Sequence, residues 1–362
     1  MKGLFGRIYQ GRKVLVTGHT GFKGSWLCAW LKMLGSDLSG ISTPDYENSK
    51  HFQVLNMDCQ SHFGDIRDRK FVNEIVSRIR PEIVFHLAAQ SLVRDSYRDP
   101  VATWETNVMG TLNLFEACRT ESSVKAVVNV TTDKVYENIE SNYMYKESDS
   151  LGGYDPYSSS KAASEILTGS YRRSFLQAPG SFLLASARAG NVIGGGDWAR
   201  ERLIPDLVRS TESREPVNIR YPQSVRPWQH VLEPLSAYLL LGQRLLSGDA
   251  AAADAWNFGP TKENCVTVGE LTGIAKAEWD AILVDINRIA PEEYHEAGML
   301  MLESKKAKEK LGWGPVWDLR TTAKKTLSWY RNFHSGNVIG TNDQVISFVN
   351  EAKSKGYTWA GQ

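Results

Sequence analysis

Tyr157-Ser158-Ser159-Ser160-Lys161 places a phenol and an ammonium four residues apart. On a helix such a pair shares one face, so the ammonium can sit near the phenol. A positive neighbour favours phenolate, which predicts a lowered Tyr157 pKa and proton transfer at neutral pH. Alone, this spacing arises by chance in many helices. It becomes specific beside two companions: Thr131-Thr132-Asp133-Lys134, and the G-x-x-G-x-x-G turn Gly18-His19-Thr20-Gly21-Phe22-Lys23-Gly24. Glycines let a backbone approach a pyrophosphate, and a following helix N-terminus offers it free N–H groups and partial positive charge. A tight structural turn is the other reading of the glycines. Lys23 reads either as a point charge for phosphates or as a solvated lysine at a helix start.

The elements around these residues are consistent with that chemistry. KVLVT, Lys13–Thr17, is a β-branched strand run that leads into the glycine turn and then into a helical pattern over 22–34. Further apolar strand patterns lie at 38–42, 83–88, 124–130 and 182–187, with helical patterns at 68–80, 100–118 and 157–175. Repeated βα units with continuously apolar strands predict an α/β fold, a Rossmann-type doubly wound parallel sheet covered on both faces. Thr131 to Lys134 then fall at the carboxyl end of the 124–130 strand. Past Arg188 the regularity breaks into a glycine-rich loop at 190–197, a helix near 204–210, a strand near 217–221, a helix over 231–246 and a strand at 256–259. Helices are predicted at 268–278 and 321–333. The polar tail from 334 carries one peripheral helix at 344–355. We expect a dinucleotide-binding domain over 1–188 and a smaller C-terminal α/β substrate region over 189–362, with 228–260 returning to the first domain.

Charge and composition exclude several classes. Lys and Arg number 42 against 41 Asp and Glu, a net charge of +1, so no basic field for nucleic acid or an anionic membrane is expected. No apolar run approaches the roughly 20 residues that span a bilayer, and residues 1–13 lack the apolar core of a signal peptide. A cytoplasmic protein is expected. Cys28, Cys59, Cys118 and Cys265 show no C-x-x-C spacing and read as ordinary thiols, and the seven histidines form no ligand pattern, so no metal is expected.

An NAD site usually carries an acidic residue at the end of the second strand, for the ribose hydroxyls. Here Ile41-Ser42-Thr43-Pro44 holds that place, and Asp45 comes slightly late. No arginine stands there for a 2′-phosphate either, which favours NAD. Asp65, in Phe63-Gly64-Asp65-Ile66, reads as an acceptor for the adenine amino group or as part of a surface turn.

On these motifs the chain resembles the extended short-chain dehydrogenase/reductase family over nearly its whole length. The resemblance rests on the glycine turn, Asp65-Ile66, His86-Leu87-Ala88-Ala89-Gln90, Thr106-Asn107-Val108-Met109-Gly110-Thr111, Thr132, the Tyr157/Lys161 pair and Arg188-Ala189-Gly190-Asn191-Val192-Ile193-Gly194. It implies a bound NAD held by Gly18, His19, Thr20, Gly21, Phe22, Lys23, Gly24, Asp65, Ile66, Leu87, Ala88, Ala89, Thr106, Tyr157 and Lys161. Within the family the chain is most similar to nucleotide-sugar 4,6-dehydratases. That narrower likeness rests on His19, Lys23, Thr132-Asp133-Lys134, Gly195-Gly196-Asp197-Trp198 and Arg226-Pro227-Trp228-Gln229-His230-Val231, and implies CDP-glucose as substrate.

A 4-epimerase of this family needs Thr132, Tyr157 and the cofactor. A 4,6-dehydratase must also remove the C5 proton and expel the C6 hydroxyl. The resemblance therefore gives Asp133 the role of acid and Lys134 that of base, where related dTDP-glucose enzymes carry Asp-Glu; a loop ion pair is the structural alternative. Asn191, Arg202, Arg220 and Arg226 match the substrate side, and arginine's planar fork suits a pyrophosphate. Trp228 either stacks or packs. The family also implies a homodimer or tetramer, joined through the 100–118 and 157–175 helices, and a place in deoxysugar synthesis for a bacterial lipopolysaccharide O-antigen. Another nucleotide sugar, C4 epimerisation and a non-catalytic dinucleotide sensor are the competing readings.

Overall fold

The computed structural model describes residues 3–44, 49–285, 298–336 and 338–361. Asp45, the late acidic candidate, lies outside them. Seven parallel strands form one sheet: β1 (Lys13–Thr17), β2 (Asp37–Ser42), β3 (Gln60–Phe63), β4 (Ile83–His86), β5 (Ala126–Val130), β6 (Leu183–Ala189) and β7 (Ala255–Phe258). Their spatial order is β7-β6-β5-β4-β1-β2-β3. The order reverses beside β1, the place where doubly wound sheets open a crevice at the carboxyl ends of their strands.

The strands read as unbroken apolar runs because both faces are covered. β4 and β5 are buried along their whole length, and β1 past its first residue. Alternate side chains still serve opposite layers. Val14 and Val16 pack with Trp26 and Trp30 of α1 (Phe22–Met33), whereas Leu15 packs with Val72 and Ile75 of α2 (Arg69–Ile79) and with Leu114.

Helix starts are set locally. Asp155 caps α3 (Pro156–Ser174) by accepting from Ser158 N at 2.9 Å, and Pro156 occupies the first turn. That start puts Tyr157 in the first turn and Lys161 one turn later on the same face. The helix expected over 100–118 is three consecutive pieces: Pro100–Trp104, a π-helical turn Glu105–Gly110, and Thr111–Thr120. The widened turn carries Asn107, whose amide donates to Gln90 O and to Ser160 Oγ, both at 2.9 Å, tying the loop after β4 to α3.

Beyond β6 the chain pairs only short strands: Val192–Ile193 with Gln229–His230, Val225–Pro227 with Cys265–Thr267, Val217–Asn218 with Val284–Asp285, and Met301–Leu302 with Met144–Tyr145. The strand expected at 217–221 is thus two residues long. The helix α4 (Leu232–Leu246) packs on β5 and β6, and β7 extends the sheet beside β6.

The expected peripheral tail helix is not peripheral. The helix α5 (Thr341–Ser354) buries Val345, Phe348, Val349 and Ala352, and Phe348 meets Trp30 of α1 edge-on with ring centroids 5.9 Å apart. Its polar composition hid an amphipathic stripe. Among the described residues no helix is long and apolar enough to cross a membrane, and no cluster of His, Cys, Asp and Glu could hold a metal ion.

Candidate active site

A cleft of about 770 Å³ opens along the carboxyl ends of the strands. Residues 18 and 20–24 after β1, 64–67 after β3, 87–94 after β4, 130–134 after β5 and 189–194 after β6 line it, together with 201–206 and 217–221 from the C-terminal part. Thr132, Asp133, Lys134, Tyr157 and Lys161 all line it, and so do Asn191, Arg202, Arg220 and Arg226. So do Gly18, Thr20, Gly21, Phe22, Lys23, Gly24, Asp65, Ile66, Leu87, Ala88, Ala89 and Thr106.

His19 is the exception, and the expectation of a cofactor contact fails for its side chain. The ring is fully buried, 2.9 Å from Ser61 Oγ through Nε2 and edge-on to Phe52. It fills the space above Gly40, where a Cβ would fall 2.1 Å from the ring. Burial pushes its pKa down to about 4.

The glycine turn is built for close approach. A Cβ on Gly24 would fall 2.0 Å from the Gly18 carbonyl oxygen, so the helix can begin this near the turn only with glycine there. The N-cap of α1 is Gly21, which offers no side-chain acceptor to the first-turn amides. Those amides, and the positive end of the helix dipole, are open to an anion. This donor set fits the pyrophosphate of a dinucleotide. Lys23 lies nearby with no hydrogen-bond or ion-pair partner among the described residues, and burial pushes its pKa down to about 8. Asp65 accepts from Arg67 N at 2.8 Å and from its guanidinium at 2.7 and 2.9 Å, which holds the carboxyl below its usual range.

At the catalytic corner the Thr132 hydroxyl donates to Asp133 Oδ1 at 2.9 Å and lies near the Tyr157 phenol. Asp133 is buried, which raises its pKa against the opposing pull of Lys134, and its Oδ2 has no hydrogen-bond partner among the described residues. It is no surface ion pair. Lys161 Nζ donates to Val130 O at 3.0 Å, and burial pushes the ammonium down to about 8. The lowered Tyr157 pKa expected from the sequence is not found: burial pushes the phenol up to about 12, against the opposing pull of Thr132. Desolvation of a phenolate outweighs that pull.

On the opposite wall, Arg202 donates to Asp197 Oδ2 at 3.0 Å and to Ser91 Oγ at 3.3 Å, and Arg220 reaches Glu201 O at 3.4 Å. Arg226 is buried, donating to Val225 O and Gly298 O. Trp228 is buried and donates to Val266 O, so it packs. Sequence reasoning missed Arg67 and the Arg94–Glu201 ion pair at the cleft wall, and it quoted Asp197 within the 195–198 motif without a site role. The short Asp65-x-Arg67 and Asp197 to Arg202 spacings were a visible signal; the pairing of Arg94 with Glu201, 107 positions apart, was not.

A model of the family described as GDP-mannose 4,6 dehydratase matches residues 15–326. The CDP-glucose 4,6-dehydratase of Salmonella typhimurium is 44% identical over 338 residues, covering 91% of this chain and 93% of that protein. The dTDP-glucose 4,6-dehydratase DesIV of Streptomyces venezuelae, solved with NAD and TYD bound, superposes with a TM-score of 0.75 at 25% identity, covering 89% of this chain and 98% of its own. The UDP-glucose 4-epimerase of Thermotoga maritima, at 24% identity and a TM-score of 0.76, shares the fold over 89% of this chain and 99% of its own.

Proposed function

The chain belongs to the GDP-mannose 4,6 dehydratase family, and from that premise we propose that it is an NAD-dependent hydro-lyase converting CDP-glucose to CDP-4-keto-6-deoxyglucose and water. The observation that carries this reading is the buried Asp133, with a free carboxylate oxygen, beside Lys134 and across from Tyr157. A C4 epimerase has no need of such a pair. The CDP-glucose assignment is supported by the 44% identity over 91% of the chain.

The open amides at the start of α1, Lys23, Asp65, Ile66, residues 87–89 and Thr106 hold the dinucleotide in this reading. Bound NAD supplies the transient oxidation at C4 and its later reversal at C6. Tyr157, in its phenolate form, takes the C4 hydroxyl proton beside Thr132, and Lys161, one turn along the same helix face, places there the positive charge that favours the phenolate. The C4 ketone acidifies the C5 hydrogen, which Lys134 removes, and a proton returns to C5 when hydride reaches C6. Asp133 protonates the departing C6 oxygen, a role suited to a carboxyl whose burial favours the protonated form. Asn191, Arg202, Arg220 and Arg226 hold the nucleotide sugar.

Three further parts of the reading follow. Residues 1–188 bind the dinucleotide and 189–362 the sugar nucleotide, with 228–260 returning to the sheet layer, which the packing of α4 and β7 supports. Two copies join through the helices at 100–120 and α3, supported by the exposed Val101, Trp104, Met109 and Ile166. The enzyme works in the cytoplasm and supplies a deoxysugar for a bacterial O-antigen.

Proton NMR of the purified protein with CDP-glucose and NAD in deuterated water, without external reductant, tests the activity. A 6-deoxy methyl signal with deuterium at C5 is expected. A C4-inverted product with C5 untouched, or unchanged CDP-glucose, would overturn it.

A further inference from the structure

Behind the reacting residues lies a buried polar cluster that the proposed chemistry does not use. Glu165 sits on α3 one turn past Lys161 and two past Tyr157, and is 3% exposed. Its Oε1 accepts from the Thr131 hydroxyl, and its Oε2 accepts from Ser186 Oγ at 2.7 Å and from Arg188 Nη2 at 2.9 Å. Arg188 donates onward to the Tyr136 hydroxyl at 2.7 Å, and that hydroxyl donates to Asn257 Oδ1 at 2.7 Å. Both charges of the pair are almost wholly out of water, with side chains 4% and 1% exposed. A buried pair of this kind is poor evidence of a contribution to stability, since desolvation offsets the attraction. Its place is informative instead: Thr131 leaves β5 and leads directly into Thr132, Asp133 and Lys134.

Resting on the reading of the site given above, we propose that Glu165 is a positioning residue for the reaction. Its carboxylate fixes Thr131, and with it the strand end that carries the acid and the base, and it sets a negative charge one helical turn from Lys161. An anion at that range favours the charged ammonium and opposes the burial that pulls Lys161 down. The groups facing Glu165 are Thr131 just past β5, Ser186 and Arg188 from β6, and Lys161 and Arg172 from α3; Tyr136 and the Glu147 carbonyl reach Arg188 from the segment after β5. The Glu147 carboxyl also acts on Arg188, and Asp254 pairs with Arg172, so the effect of the Glu165 charge is read at Lys161 itself.

The test uses full-length Glu165→Gln, which keeps the size and one acceptor and removes the charge. With wild-type enzyme turning over CDP-glucose, kcat is expected to fall roughly 10- to 100-fold, as misplacement of reacting groups predicts, with KM within about twofold. Selective ¹³C-lysine labelling, with Lys161→Arg to assign the signal, reads the Lys161 titration without any turnover; its midpoint is expected to move down in Glu165→Gln. If removing the charge leaves Arg188 unpaired and the protein unfolded, Glu165→Gln/Arg188→Met removes both charges and is read in the same two ways. A folded variant with unchanged kcat and an unchanged Lys161 midpoint would overturn the proposal. A wild-type enzyme inert toward CDP-glucose would overturn the functional reading alone, because the Lys161 titration still decides the charge effect.

Discussion

The hydroxyl of Thr132 binds one oxygen of the Asp133 carboxylate at 2.9 Å and leaves the other, Oδ2, without a hydrogen-bond partner among the described residues. That hydroxyl thereby orients the proposed acid, and Thr132 opposes the rise of the Tyr157 pKa.

Asp133→Asn keeps the shape and removes the transferable proton. Its kcat on CDP-glucose is expected to fall about 100- to 10,000-fold, the range of a lost general acid. Burial raises the folded-state pKa of Asp133 above its unfolded value, so the stability linked to this group is present at low pH and is lost as pH rises through the folded pKa. The variant, lacking that loss, is expected to melt no lower than wild type at pH 7. Steady-state rates and thermal melts check both parts, and an active variant would remove Asp133 from the mechanism.

Lys161 carries the opposite sign. Its folded-state pKa is depressed to about 8 from 10.5 by burial, so the linked stability is present above the unfolded pKa and is lost as pH falls through about 8. Lys161→Met is therefore expected to be inactive yet to melt above wild type at pH 7. That gap should close as pH rises from about 8 to 10.5 in a melt series. A gap independent of pH would show that packing, not charge, governs the site.

Gly24→Ala puts a methyl 2.0 Å from a backbone oxygen that cannot rotate away. The turn must shift, and overpacking of this kind lowers stability by about 1–3 kcal/mol. Binding of NAD, followed by calorimetry, is expected to weaken at least tenfold, because each misaligned amide loses a charge-assisted hydrogen bond. Unchanged NAD affinity would place the pyrophosphate elsewhere.

Trp104 is 42% exposed and lies between Val101 and Met109, which are 67% and 49% exposed, along a shallow apolar groove. Trp104→Glu buries a charge in any interface formed there and is expected to convert a dimer to monomers in light scattering behind gel filtration. A dimer that survives would have to use another face.

Much of the site was legible because its signals are local. The glycine turn, Thr131 to Lys134 and the Tyr157/Lys161 spacing each sit at the end of a strand or start of a helix, and such ends carry chemistry in this architecture. What was misread depended on solvent access. The chain cannot announce that His19 turns into the space over Gly40, or that Tyr157 is buried enough for desolvation to exceed its stabilising neighbours. Apart from the strand near 217, the short strand pairs beyond β6 escaped because two or three residues hold no period.

The sequence by itself determined the parallel α/β sheet, whose strands are buried on both faces and so read as continuous apolar runs, and it determined which residues meet at their carboxyl ends. Only the tertiary structure decided how those residues are charged and held. Burial is a property of everything packed around a group, and partners such as Thr131 and Glu165, or Glu165 and Arg188, are 34 and 23 residues apart in the chain. The polar tail shows the same division: its helix was visible as a pattern, but its docking against Trp30 arises only when a sheet layer offers an apolar surface for Phe348 to cover.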